Sequence, residues 1–408
     1  MSTPAEQPSS EAAEPEPTPL LQPAGGVPDL TVTSDEIDSA ATRLASGRGP
    51  FSIDAERASG FRYSNRAYLI QIRRAGAGTV LLDPIGDDDP VQRLRPIAEV
   101  LATEMWILHA ADQDLPCLAE LGMRPPALYD TELAGRLAGY DRVNLATMVQ
   151  RLLGLGLAKG HGAADWSKRP LPAAWLNYAA LDVEVLADLR EAEAQVLAEQ
   201  GKDHWAAEEF EYVRTVVPAP PRRDWRRTSG IHKVRDPRAL AAVRELWTIR
   251  EEIARRRDIA PGRILPDASI VAAAVADPKT AEDLTALPVF GGPKQRRSAQ
   301  TWLAALARAR DNPEPPTSPE SSSGPPQVSR WRRRKPEAAD RLQAARDALA
   351  ELSEQVGVPT ENLVSPDLVR RLCWDWVHNT DVEAFLREGG ARPWQCELVV
   401  PALTAALN

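Results

Sequence analysis

Asp54 and Glu56 stand two residues apart in the run Phe51-Ser52-Ile53-Asp54-Ala55-Glu56. If that run is a strand, alternation puts both carboxylates on one face and Ile53 on the other. Two acids side by side repel each other and lose solvation if covered, and a bound divalent cation removes both penalties. The competing reading is an edge strand with a solvated acidic face. Asp114 follows the apolar run Met105-Trp106-Ile107-Leu108-His109 and falls in the first turn of the helix expected next. The helix dipole alone favours an acid there, and His109 reads as a strand-end histidine rather than a ligand. Tyr178 and Asp182 lie four apart in a helical stretch, so phenol and carboxylate share a face. Alone, such a pair is usually structural.

The elements that would position these groups alternate between strand and helix. Runs at 51–54, 68–72, 79–83 and 105–109 read as strands, with Gly76 and Gly78 at a hairpin-like spacing. Helical patterns occupy 90–102, 112–121, 131–138, 144–153 and 172–198. Early antiparallel strands followed by strand–helix alternation predict an α/β sandwich with a mixed sheet. Long Ala/Leu/Arg/Glu stretches at 236–257 and 337–355 predict helix for the rest of the chain. Each is followed by a Pro-rich turn (Pro261 to Asp267, Pro359 to Asp367) and then by a Gly-Gly pair, Gly291-Gly292 or Gly389-Gly390. That order reads as two copies of one small helical module.

With 408 residues the chain exceeds one ordinary core, and Pro/Ser-rich stretches suggest where it divides. Residues 1–28 have too few large apolar groups to offset chain entropy and are expected to be a disordered tail. The α/β block is expected over 29–217, a helical block over 218–311, a Pro/Ser-rich then basic linker over 312–336, and a last helical domain over 337–408. The three cysteines, Cys117, Cys373 and Cys396, form no CxxC and suggest neither disulfides nor zinc. No apolar run approaches the roughly 18 residues of a membrane span, and no signal peptide is read at the start. These features predict a cytoplasmic protein without a membrane partner. Net charge is −9, which seen alone argues against nucleic acid. Its distribution is uneven: residues 218–313 hold nineteen Lys plus Arg against eleven Asp plus Glu, a net +8, leaving −17 elsewhere.

Together, in this order, the residues resemble the DEDD superfamily of 3′–5′ exonucleases. The branch is the one whose third motif carries Tyr: Asp54-Ala55-Glu56, then Asp114, then Tyr178 with Asp182. Within it the chain is similar to ribonuclease D. His109-Ala110, Asp130-Thr131, Lys159 and Asp165-Trp166-Ser167-Lys168-Arg169-Pro170-Leu171 carry the likeness across roughly 50–190. Asp112 competes for the second motif, but the Asp114-Leu115 pair aligns better. The resemblance implies an RNase H-like mixed-sheet exonuclease domain followed by all-helical HRDC-type modules, the last of them degenerate.

Hard oxygen ligands suit Mg²⁺ or Mn²⁺, and four acids can hold two such ions about 4 Å apart, a clamp for in-line displacement. The resemblance implies that Asp54 bridges both ions. Glu56 and Asp182 would help hold the water-activating one, Asp114 would support the other, and Tyr178 would orient the water. The implied activity is trimming of single-stranded 3′ ends of structured RNAs such as tRNA precursors, releasing nucleoside 5′-monophosphates. The alternatives are a 3′–5′ DNA exonuclease, since the site chemistry does not read a 2′-OH, and a non-catalytic nucleic-acid-binding scaffold. RNA contacts are expected at Arg222, Arg223, Trp225, Arg226 and Arg227 and at Lys294, Arg296 and Arg297, with Trp225 and Trp302 stacking on bases. A further basic run spans Arg330 to Lys335. All five catalytic candidates precede Pro218, so a chain without residues 218–408 is expected to keep a metal site able to cut. No protein partner is readable from the sequence.

Overall fold

The computed structural model describes residues 16–158, 160–216, 223–312, 316 and 324–407. Lys159, Arg222, the cluster Val217 to Pro221 and most of the Pro/Ser-rich segment from Pro313 to Ser323 lie outside them.

The α/β block is built on a six-stranded mixed sheet. Its strands are β2 (Leu30–Thr31), β3 (Arg48–Arg57), β4 (Ala67–Ala75), β5 (Gly78–Leu82), β6 (Trp106–Leu108) and β7 (Leu128–Asp130), in spatial order β2-β5-β4-β3-β6-β7. The hairpin β3–β4–β5 is antiparallel, and β2, β6 and β7 join in parallel. Alternation sorts side chains to two faces. Phe51, Ile53, Ile70, Ile72, Val80 and Leu82 pack with Ile37 and Leu44 of α1 (Ser34–Ser46), and with Ile97 and Leu101 of α3 (Arg95–Leu101), which follows the single turn α2 (Pro90–Arg93). Each such side chain, fully buried, contributes about 1.5–3 kcal/mol. Leu69 and Leu81 face the other way, against Ala179 and Ala180 of α7 (Ala173–Glu184). Asp54 and Glu56 share that second face, where α7 packs across β3, β4 and β5.

Between β6 and α7 run α4 (Ala111–Glu120), α5 (Thr131–Leu137), α6 (Leu145–Leu153) and the short strand β8 (Leu155–Leu157). The helix expected over 172–198 is two, α7 and α8 (Leu186–Glu199), because Val185 leaves ideal helical geometry at φ −95°, ψ −12°. A further helix, α9 (Asp203–Thr215), completes the block.

Composition predicts disorder as far as residue 28, and the structure corrects this for residues 16–28. Thr18–Leu20 forms strand β1, paired in parallel with β8. Backbone hydrogen bonds and the packing of Leu20 beside Val143 and Met148 supply what composition alone does not foresee.

The second block holds α10 (Pro237–Arg257), α11 (Pro261–Ile264), α12 (Asp267–Ala276), α13 (Ala281–Ala286), α14 (Pro293–Arg297) and α15 (Ala299–Arg310). After α16 (Trp331–Arg334), the third holds α17 (Pro336–Val356), α18 (Thr360–Leu363), α19 (Pro366–Asp375), α20 (Val382–Glu388) and α21 (Pro393–Leu407). The two blocks repeat a 21-residue helix, a four-residue turn of helix and a ten-residue helix in the same order. The basic run expected as linker is instead seated: Trp331 is fully buried against Trp374.

The helical blocks meet the α/β block differently. The second grips the loop after β3, where Asp258 Oδ1 accepts from the backbone N–H groups of Tyr63 (3.1 Å) and Ser64 (2.8 Å). The third shares its core with the sheet domain. Trp394 stacks on Trp205 at 5.1 Å, and Arg392 pairs with buried Glu209 at 2.6 and 2.8 Å. Among the described residues, no helix is long and apolar enough to cross a membrane.

Candidate active site

The strand β3 delivers Asp54 and Glu56 beneath α7, and the four-residue spacing on α7 points Tyr178 and Asp182 back at them. Carboxylate oxygens of Asp54, Glu56 and Asp182 all lie within 4.8 Å of one another. The Asp182 carboxylate lies close enough to the Tyr178 hydroxyl for each to shift the other's titration. These residues line a cavity of about 410 Å³ that also takes in Arg57, His109, Gln113, Asp114 and Asn144.

Asp114 is brought in by a remote cap. The α4 N-terminus begins at Ala110, whose φ of 60° is left-handed, and α4 carries no side-chain cap of its own. Asp130 supplies it from the end of β7. Its oxygens accept from the N–H groups of Ala110 (3.1 Å) and Ala111 (2.8 Å), and also from Glu132 and Leu133 at the start of α5. One buried carboxylate thereby fixes two helix starts, and the first turn of α4 presents Asp114, 4% exposed, to the cavity. Asp112 is not among the cavity-lining residues, so the geometry favours Asp114 for the second motif.

The electrostatics are those of an acidic cluster that Arg57 offsets only in part. Burial raises the carboxyls of Asp54, Asp114 and Asp182, and Asp54 adds repulsion to the latter two. Glu56 is pushed up to about 10, by burial first and then by Asp54, Asp182 and Asp114. Burial also raises the Tyr178 phenol above its ordinary value, with Asp182 and Glu56 adding to the effect, so it stays protonated at neutral pH. His109 is driven down to about 4 by burial and bonds Thr131 at 2.8 Å, in keeping with its reading as a structural histidine. A set of hard carboxylates with no cysteine among them fits a divalent metal.

Two cavity residues escape a reading of the sequence. The β3–β4 register shifts between Glu56 and Arg57, and Arg57 pairs with Asp114 at 3.5 Å. The available signal is adjacency to Glu56, but simple alternation sends Arg57 to the other face. Gly160 is the second: a Cβ there would lie 1.6 Å from Tyr178 Cε2, so the backbone rests on the ring. Lys159, beside it, is outside the described residues.

The expected RNA contacts divide. Lys294, Arg296, Arg297 and Arg227 are exposed. Arg223 lies over the Tyr63 ring and pairs with Glu251, and Arg226 lies over Trp225 beside Asp224. Stacking of bases on Trp225 and Trp302 is corrected, because both are core residues of the second block at 7% and 1% exposure. Trp302 donates instead to Gln295 at 2.9 Å.

The comparisons with known proteins agree with this geometry. Residues 30–196 match the 3′-5′ exonuclease family, 239–306 the HRDC domain and 324–407 the 3′ to 5′ exonuclease C-terminal domain. Ribonuclease D of Granulibacter bethesdensis is 32% identical over 313 residues, covering 73% of this chain and 77% of that protein. Ribonuclease D of Jannaschia sp. is 28% identical over 353 residues, covering 83% and 87%. A crystal structure of a protein from Bifidobacterium adolescentis superposes with a TM-score of 0.86 at 37% identity, covering 96% of this chain and 100% of that one. Escherichia coli RNase D, described as an exoribonuclease involved in structured RNA processing, shares the fold at a TM-score of 0.68 and 23% identity, over 93% and 98%. Likeness to curated relatives along most of their length fixes the assignment: the chain belongs to the ribonuclease D family and is a 3′–5′ exoribonuclease.

Proposed function

We propose that this enzyme trims the single-stranded 3′ ends of structured RNAs such as tRNA precursors in the cytoplasm, releasing nucleoside 5′-monophosphates. Asp54, Glu56, Asp182 and Asp114 would hold two divalent ions, Mg²⁺ or Mn²⁺. When bound, such ions supply a nucleophilic water and neutralise charge on the attacking and leaving oxygens. The chain's own groups do the rest. The Tyr178 hydroxyl, beside Asp182, orients the attacking water. Exposed Lys294, Arg296, Arg297 and Arg227 would hold the RNA backbone by charge. The third block is read as a diverged copy of the HRDC-type module.

The observation that carries this reading is the convergence of three carboxylates within 4.8 Å beside the Tyr178 hydroxyl. End-labelled RNA and DNA of one sequence, incubated with the protein and Mg²⁺, test it. Stepwise shortening of the RNA from its 3′ end, stopped by chelator, is expected. Faster digestion of the DNA would favour the DNA exonuclease reading, and no digestion of either would sink the catalytic assignment.

A further inference from the structure

The match to the exonuclease family begins at residue 30, yet the chain before it is tied to the catalytic helix and its surroundings at three places. In the first, β1 pairs with β8, and Thr18 N–H donates to Gly154 O at 2.8 Å. Among the described residues β1 is the only strand paired with β8. In the second, Asn177, the residue before Tyr178, donates its side-chain amide to Leu21 O at 2.9 Å. In the third, Ala24 N–H donates to Glu184 Oε1 at 3.3 Å. Glu184 also pairs with Arg73 on β4 at 3.0 Å.

These contacts bear on one side chain. Asn177 and Glu184 lie seven residues apart, two turns of α7, and between them stand Tyr178 and Asp182. The strand β8 runs directly into Ala158, Gly160 and Gly162, which line the cavity. Gly160 rests on the Tyr178 ring, and a Cβ at Gly162 would lie 3.7 Å from its hydroxyl. The N-terminal segment therefore holds both surfaces that confine the phenol: the helix it grows from and the backbone laid over it.

We infer that residues 16–24 are a positioning strap for Tyr178, setting where its hydroxyl points in the cavity. Asp54, Glu56 and Asp114 stand on β3 and α4, and the strap's hydrogen bonds run instead to α7 and to the start of β8. Loosening the strap therefore disturbs the phenol more than those ligands. A misplacement of about 1 Å can cost about 10²-fold in rate. The inference rests on the reading that Tyr178 acts in the chemical step.

The test uses the full-length chain. Thr18→Pro removes the N–H that bonds Gly154, and Asn177→Ala removes the bond to Leu21. Each is made in the wild-type and in the Tyr178→Phe background, and single-turnover cleavage of a short 3′-labelled RNA is measured with Mg²⁺ saturating. Thermal melts verify folding at the assay temperature, and Mg²⁺ titrations of the melting temperature report the metal site separately. The strap predicts a loss of about 10-fold or more for each variant at saturating Mg²⁺, and almost no further loss when Tyr178 is already Phe. Wild-type rates in folded strap variants overturn it, as do losses that persist undiminished in the Tyr178→Phe background. If Tyr178→Phe alone cleaves like wild type, the role of Tyr178 fails first and takes the inference with it.

Discussion

Arg57 Nη2 stands 3.5 Å from Asp114 Oδ1, the side chains 23% and 6% exposed. Among the described residues it is the cation that lowers the carboxyls of Asp54, Glu56 and Asp114 against burial and mutual repulsion. In the metal-free protein this guanidinium stands in for part of the positive charge the acids call for. Arg57→Met should therefore lower the melting temperature without metal, by the equivalent of about 1 kcal/mol, the scale of a partly exposed pair. The rise in melting temperature on adding Mg²⁺ should become larger. Melts with and without Mg²⁺ decide it; equal rises in both proteins would mean that Arg57 does not compensate the site.

Asp54→Asn should act in the opposite sense on the metal-free fold. It removes a charge that raises Glu56, Asp114 and Asp182, so the apoprotein should melt at the same temperature or higher. Cleavage should vanish and the Mg²⁺-dependent rise in melting temperature should shrink. Near-normal cleavage would show that the acids do not hold the catalytic metal.

Glu193 on α8 is fully buried, and among the described residues neither carboxylate oxygen has a hydrogen-bond partner. Burial, then the charge of Asp130, pushes it up to about 10. The folded protein thus keeps a proton that the unfolded chain releases near the ordinary value of 4.5. Stability from this group is complete below about 4.5 and is lost as pH rises toward 10. Glu193→Gln cannot release that proton, so its gain in melting temperature over wild type should grow from about pH 5 to about pH 9. A gain that does not vary with pH would contradict this.

The acidic strand, the hairpin and the Tyr178–Asp182 helix are legible in the sequence because their patterns are local. Alternation sets the face of Asp54, and a four-residue spacing sets the face of Asp182. What escapes depends on neighbours distant in sequence. Pro17 and Pro19 read as unstructured because composition does not record that Leu155–Leu157 waits beside them. Trp225 and Trp302 read as base platforms because a tryptophan within a few residues of a basic cluster looks the same in sequence whether it is buried or exposed. Arg57 is hidden because a register shift breaks the alternation that serves well for Asp54 and Glu56 just before it.

The same limit affects the expectation that the nuclease keeps its metal site without residues 218–408. Trp394 is 1% exposed, stacks on Trp205 and donates to Glu209 Oε1 at 2.8 Å. Trp394→Ala should cost about 3–5 kcal/mol, read from urea unfolding of the full chain. A cost below about 1 kcal/mol, the range of an ordinary surface change, would show that the α/β block does not depend on the third block.

Exposed Lys294, Arg296 and Arg297 offer a cleaner test of RNA binding than buried Trp225. Changing all three to Ala should reduce RNA affinity and flatten its salt dependence, by about 0.7 in slope for each phosphate of a single strand no longer neutralised. Binding curves at several salt concentrations measure it. An unchanged slope would place the RNA elsewhere.

The seating of Trp394 and Arg392 against Trp205 and Glu209 also joins segments far apart in the chain. The five catalytic candidates all lie before residue 200, and their block shares its core with side chains of α21. The α/β block and α21, with the whole second block between them in the chain, therefore fold into one cluster, so the packing of the nuclease core spans nearly the whole described sequence.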